Sequence, residues 1–407
     1  MAGTYLMRTM NQSENTNSDK KFTYSGWIKK SETASDGMLI EGYYSSTFHS
    51  QLYYQSNGAL TLNCASGTSG AAFQIVTNRL LKDCNAWYHI VVAIDTTQGT
   101  ASDRAKIYIN GVQETSFSSA TYPNQNTSHQ FNRNGNTAYL GRRTGGGVGL
   151  YFDGLMSHIH TTIGYTYNAS AFGSTDSTTG EWKINTSPSV TYGTNGFFIL
   201  KDGNSVTDSS SNSNAFSVGG GTLTKTEDCP SNVFATINPL DYSPNPATLQ
   251  NGNTTYNKSS TGDTHNASMT GTLGAMTGKW YFEFKPTNTT NFVLGMIRTN
   301  HGLPNSEGYY ANDAGCYGIS NGGKTVGGSG TSISYSYSAN DILGMAFDLD
   351  NGKFYAHVNG TYITSGDPTS GSTGTGSLGD ISLGSNIYVP FVTNANYNAT
   401  NLIYFNF

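Results

Sequence analysis

The stretch Asp341–Ile363, DILGMAFDLDNGKFYAHVNGTYI, does most to restrict the folds open to this chain. Leu343, Met345, Phe347 and Leu349 alternate with Gly344, Ala346 and Asp348, the period of a strand with one apolar face. Asp350-Asn351-Gly352-Lys353 then offers the Asn-Gly pair of a two-residue type I′ hairpin, whose central residues both need positive φ. Phe354, Ala356 and Val358 restore the alternation, and Asn359-Gly360 repeats the turn. Three consecutive antiparallel strands follow. Trp87–Glu114, WYHIVVAIDTTQGTASDRAKIYINGVQE, has the same plan with a longer first loop and Asn110-Gly111 at its second turn. Two meanders this far apart predict two all-β domains.

Composition points the same way. Charged residues are 12% of the 407 and 49 residues are glycine, against about 25% and about 7% in an ordinary globular chain. Ser, Thr, Asn and Gly carry solubility in place of Lys and Glu. They form helices poorly and suit turns and strand surfaces, so the expected fold class is all-β with very little helix. A formal charge of −5 without any Lys/Arg run offers no basic patch for phosphates, so no nucleic-acid partner is expected. The longest apolar runs are strand-length, and the start MAGTYLMRTMNQSENT has neither the apolar core of a signal peptide nor a lipidation pattern. Neither membrane insertion nor export is expected.

Cys64, Cys84, Cys229 and Cys316 show no CxxC and no zinc spacing. Cys64 and Cys84 could meet across two strands, but synthesis in a reducing cytosol favours free thiols. Asn168-Ala169-Ser170 and Asn288-Thr289-Thr290 match the glycosylation pattern as a chain this rich in Asn, Ser and Thr does by chance. His158 and His160, two apart on an expected strand, would share a face without a visible third ligand, and a solvated strand face accounts for them. Asp202-Gly203-Asn204, Asp208 and Asn212-Ser213-Asn214 crowd oxygens around a turn as calcium requires, yet they lack the Gly and terminal Glu of an EF-hand loop. Asx-turns explain the same residues, so no metal is expected. Gly145-Gly146-Gly147 and Gly327-Gly328 lack the Lys and helix of a phosphate cradle, and no cofactor is expected.

In chain order, Tyr5–Met10 opens as a short strand, and KFTYSGWIKK (21–30) carries large residues on both faces, as a strand covered on both sides does. GMLIEGYY, SQLYYQS, ALTLNCA and AAFQIVT follow at sandwich spacing, then the Trp87 meander, TAYLGRR, Tyr151–Ile163 and an apolar strand at Gly196–Leu200. The set FTYSGWIKK, WYHIVVAID, KIYINGV and YFDGLMSHIH resembles the concanavalin A-like, laminin-G-like jelly roll over residues 1–225. With STDSTTGEW, YGTNGFF and DSSSNSN after it, the region resembles repeats in structural proteins of tailed bacteriophages. That resemblance implies two antiparallel sheets, a carbohydrate- or protein-binding ancestry and a place on a virion.

Residues 226–247, TEDCPSNVFATINPLDYSPNPA, hold four of the ten prolines and no strand-length alternation, and they read as an extended connector. Over 248–407, GKWYFEF, GCYGI, DILGMAFDLDNGKFYAHVNG and YVPFV resemble a SPRY domain, in that family's order. The resemblance implies a second sandwich that serves as an interaction module, with no binding loop matched residue by residue.

Catalytic patterns are hard to assemble. A laminarinase-like hydrolase built on the jelly roll needs paired carboxylates, and Glu41, Glu114, Glu181, Glu227, Glu283 and Glu307 stand isolated. No Ser or Cys stands in a recognisable His/Asp context. Tyrosine is abundant, with 27 residues and adjacent pairs at 43–44, 53–54 and 309–310. Neighbours in a strand point to opposite faces, so one of each pair should meet solvent, and Tyr44, Tyr54 and Tyr310 are the candidate ligand contacts. The expectation is a non-enzymatic protein of a phage virion surface, made in the host cytoplasm. It would serve as tail fibre or capsid decoration, binding host glycan, a receptor or other virion proteins, and would be oligomeric in the particle. The alternatives are a divergent glycoside hydrolase and a cell-surface adhesin.

Overall fold

The structure is a computed structural model describing residues 3–13, 18–31, 35–67, 71–84, 86–201, 205–226, 228–242, 247–258, 267–289, 292–300, 310–394 and 401–407. The chain is all-β as expected, and among these residues every helical segment is a three-residue 3-10 turn. It divides into two compact units, Met1–Val233 and Phe234–Phe407.

The first unit pairs an eight-stranded with a six-stranded antiparallel sheet. The larger runs in the order Phe117–Thr121, Ala71–Leu80, Ala59–Ser66, Phe48–Tyr54, Gly37–Ser45, Thr137–Leu140, Tyr5–Thr9, Ser217–Gly220. The smaller runs Phe197–Ile199, Gly154–Ile163, Lys21–Lys30, Tyr88–Asp95, Ala105–Ile109, Val112–Gln113. Leu6, Ile40, Leu52 and Leu62 of one sheet pack with Phe22, Ile28, Ile90 and Ile107 of the other in a single core. The other face of the small sheet is also covered, because Ala169, Phe172 and Trp182 pack on Val91 and Tyr108. That double cover is why all of Lys21–Lys30 except Lys21 is buried.

The second unit has a seven-stranded sheet and an eight-stranded one in which Lys279–Pro286, Leu343–Asp348 and Lys353–Val358 are consecutive neighbours. Phe282, Met345, Phe347 and Phe354 face Leu294, Ile319, Tyr388 and Val392 across its core. Trp280 alternates in step with the buried Phe282 and Phe284 yet is half exposed near the strand's start, with its indole N–H donated to the Thr277 carbonyl at 2.7 Å.

Two expectations need correction. Asn110-Gly111 and Asn359-Gly360 are two-residue turns with positive φ at both residues (48° and 79°, 48° and 86°), as type I′ requires. The Asp350–Lys353 turn is not of that type. Asp348 pairs with Lys353, which leaves a four-residue loop, and only Gly352 (φ 65°) is left-handed. The Asp348 carboxylate causes the difference: it accepts the N–H groups of Asp350 and Asn351 at 3.1 and 3.0 Å and so closes an ordinary turn inside the loop. The stretch 226–247 is also more ordered than an extended connector. Asp228 is buried in the first unit, and Ile237–Tyr242 is a strand paired with Ser268–Gly271 in the second. Pro239 hid that strand from a period-based reading; its missing N–H is tolerated because the strand lies at the sheet edge, with a break in register.

Candidate functional site

The three candidate tyrosines do not form one site. Tyr44 is 65% exposed beside Phe48 at a hairpin end, ring centroids 6.4 Å apart. Tyr54 is fully buried, its ring lying over Gly37 with the Lys30 Nζ 4.1 Å from its centroid. It cannot meet a ligand: the register of Phe48–Tyr54 turns Leu52 and Tyr54 into the core and leaves the half-buried Tyr53 outside. Tyr310 begins a 3-10 turn, and its side chain lies outside the described residues.

The first unit holds a cleft of about 680 Å³, within the usual range for small-molecule sites. Strands of both sheets build it: Thr4–Leu6 and Leu140 from the larger, Gly154–His158 and Leu200 from the smaller. Residues 223–226 and Asp228–Ser231 complete it after the edge strand Ser217–Gly220. A buried ion pair anchors that crossing segment. Asp228 accepts from the Lys29 ammonium at 2.8 Å and from the Trp87 indole at 3.2 Å, with Lys29 and Asp228 both about 2% exposed.

Tyr5, Trp87 and Phe152 contribute the cleft's aromatic surface, with Thr4, Ser157, His158 and Thr224 as polar neighbours. Tyr5 is held from two sides. Its ring covers the backbone of Gly219 and Gly220, where a Cβ would collide with it, and the Arg142 guanidinium lies 4.3 Å from its centroid. Arg142 also reaches Tyr139, at 5.2 Å. His158 has φ 49° at a bulge in Gly154–Ile163, and its N–H bonds the carbonyl of Leu200, which has φ 57°. Two adjoining non-glycine residues in the left-handed region cost about 1–2 kcal/mol each. Strain of that size concentrated in a cleft wall is a feature of functional sites.

The other polar clusters are satisfied internally. Asp208 accepts the N–H groups of Phe198, Ser210 and Asn214 and the Ser210 hydroxyl, at 2.7–2.9 Å, the pattern of an Asx-turn. Asp202–Asn204 lie outside the described residues. His160 stacks on Phe198 at 3.8 Å, and His158 lies 5.7 Å from the same ring, so one apolar ring packs against both imidazoles. Among the described residues no three His, Cys, Asp or Glu side chains gather as a metal site would need. All four cysteines are free thiols.

Ser25 and His89, 2.9 Å apart and buried, look like a nucleophile and its base. Hydrogen-bond polarity argues against that. The Trp182 indole can only donate, and it bonds His89 Nδ1 at 2.9 Å. The His89 proton is therefore on Nε2 and is donated to Ser25, so the ring cannot accept the serine proton. Burial pushes the His89 imidazole down to about 3. Glu41 is likewise a structural carboxylate. It accepts from Gln51, Thr144 N and Gly145 N at 2.6–2.8 Å, while burial raises its pKa against those donors.

Nothing in the linear spacing marks the cleft, because its walls come from residues 4–6, 87, 140–158 and 186–231.

No curated protein matches the chain. Similar solved structures include the SPRY domain of human HERC1, at 12% identity and a TM-score of 0.33, covering 42% of this chain and 96% of that one. The TRIM65 PSpry domain gives 14%, 0.30, 42% and 90%. The heptameric SAP-like pentraxin of Limulus polyphemus gives 21%, 0.28, 39% and 69%. Residues 7–162 match the family described as the Concanavalin A-like lectin/glucanases superfamily, which supports the concanavalin A-like, laminin-G-like sandwich expected of the first unit.

Proposed function

We propose that the chain is a non-enzymatic glycan-binding protein of a virion surface, and that the cleft of the first unit receives the sugar. The cleft carries this reading. It joins the faces of Tyr5, Trp87 and Phe152, which suit the C–H faces of sugar rings, to hydroxyl and imidazole groups that suit their hydroxyls. The lectin/glucanase match over residues 7–162 supports a saccharide as the ligand class. Binding without cleavage is supported by Asp228, the single carboxylate among the described cleft residues, which is engaged by Lys29 and Trp87. Hydrolysis with retention needs two carboxylates about 5 Å apart. The virion setting rests on the resemblance of residues 1–225 to repeats of phage structural proteins, and both host adsorption and capsid decoration fit it.

Glycan-array binding by the full chain, compared with Trp87→Ala, tests the reading. Glycans retained by the parent should be lost by the variant, roughly tenfold or more in affinity. Binding that ignores Trp87, or release of reducing sugar from laminarin by the parent, would refute it.

A further inference from the structure

The second unit carries a constructed polar and aromatic face with no part in the cleft. Tyr281 is 47% exposed on Lys279–Pro286 and lies against His357, ring centroids 5.8 Å apart and planes inclined 23°. Its hydroxyl donates to Glu283 at 2.6 Å and lies 2.7 Å from His357 Nε2. The polarity of this chain is fixed from its far end. The Gly360 N–H can only donate, and it bonds His357 Nδ1 at 3.0 Å. The imidazole proton is therefore on Nε2, the Tyr281 oxygen accepts it, and the Tyr281 proton goes to the carboxylate. Asn406 donates to the other Glu283 oxygen at 3.2 Å.

Gly344 makes this possible. It lies between Glu283 and His357 in register, and a Cβ there would stand 2.0 Å from His357 Nε2 and 2.5 Å from the Tyr281 hydroxyl. The face continues along the neighbouring strand Asn401–Asn406. Glu283 is opposite Asn406 and Lys285 is opposite Tyr404, so Tyr404, 39% exposed, shares the face of Tyr281. Lys285 is four residues from Tyr281, which places the two tyrosines about 13 Å apart along the strands.

We infer that this face of the second unit is a platform for an extended neutral oligosaccharide, with Tyr281 and Tyr404 as stacking rings and the Glu283 carboxylate between them as acceptor of sugar hydroxyls. A ring half open to solvent offers flat apolar area, and a carboxylate already oriented by Tyr281 and Asn406 meets hydroxyl donors with little ordering cost. Glu283 and Lys285 stand side by side on this face, which is left without the net positive charge that would favour acidic sugars.

The test uses the full chain carrying Trp87→Ala, which silences the first-unit cleft, on an array of neutral and acidic oligosaccharides. The expected result is retention of neutral oligosaccharides, lost about tenfold or more on adding Tyr281→Ala and again on adding Glu283→Gln instead. Tyr281 is exposed, and Glu283→Gln keeps shape, so equal melting temperatures certify folding. The inference is overturned if the Trp87→Ala chain retains no neutral oligosaccharide, or if what it retains ignores Tyr281. A Trp87→Ala chain that binds as well as the parent, through Tyr281, would instead refute the cleft reading alone.

Discussion

Acid should unfold the first unit through histidines buried without charge. His129 is fully buried against Phe22 and Phe131, ring centroids 5.4 and 6.1 Å away. Burial pushes its imidazole down to about 4; the Lys21 and Phe131 backbone and the Asp19 charge oppose this, and the Arg133 charge adds to it. His89 is held down to about 3 by burial, and burial also lowers His160 well below the ordinary value. In the unfolded chain all three titrate near pH 6.5. Below that pH the unfolded state binds more protons, so stability falls as pH drops from about 6.5 toward the folded values. Each histidine contributes about 1.4 kcal/mol per pH unit over that window. Between pH 7.5 and 4.5, His89 and His129 together remove about 5 kcal/mol, comparable with the whole stability of many domains. Glu41, whose pKa burial raises, acts in the opposite direction and offsets part of the loss at the acid end. His129→Phe keeps a ring beside the stacked Phe22 and Phe131 and cannot be protonated. It should cut the acid-induced loss by about 2–3 kcal/mol while changing stability little at pH 7.5. Urea titrations read by tryptophan fluorescence report on this unit, since Trp27, Trp87 and Trp182 lie in it and Trp280 in the other. Equal loss in parent and variant between pH 7.5 and 4.5 would refute the reasoning.

Two substitutions probe the structure elsewhere. Gly352→Val places a β-branched residue at φ 65°, with its Cβ 2.9 Å from the Ile381 carbonyl, and should lower the stability of the second unit by about 1–2 kcal/mol or more in urea; no change would mean that the left-handed position is misassigned. Lys29→Met leaves the Asp228 carboxylate buried without its cation and should cost about 3–5 kcal/mol, most of it recovered when Asp228→Leu is added. Failure of the double variant to recover stability would show that the pair is not the anchor of the cleft segment.

Backbone pattern was legible in the sequence wherever it depended on neighbours. Strand alternation placed Lys21–Lys30 and Leu343–Asp348, and Asn110-Gly111 and Asn359-Gly360 gave their turns, because period and positive φ are properties of a few adjacent residues. The Asp350–Lys353 turn escaped the same logic once a side chain competed: Asp348 bonded the backbone and lengthened the loop. Tyr53 and Tyr54 were visible as a pair facing opposite ways, but which one met the core depended on the register with Ala59–Ser66 and on the second sheet. The cleft lay further still from a linear reading. Lys29 and Trp87 meet through the pairing of Lys21–Lys30 with Tyr88–Asp95, and Asp228, about two hundred residues from Lys29, reaches them only because the segment after Gly220 returns to that sheet. Tyr281, Gly344 and His357 were each plain strand residues in the sequence. Only strand pairing stacked the glycine between the other two and turned an ordinary alternation into a directed hydrogen-bond chain.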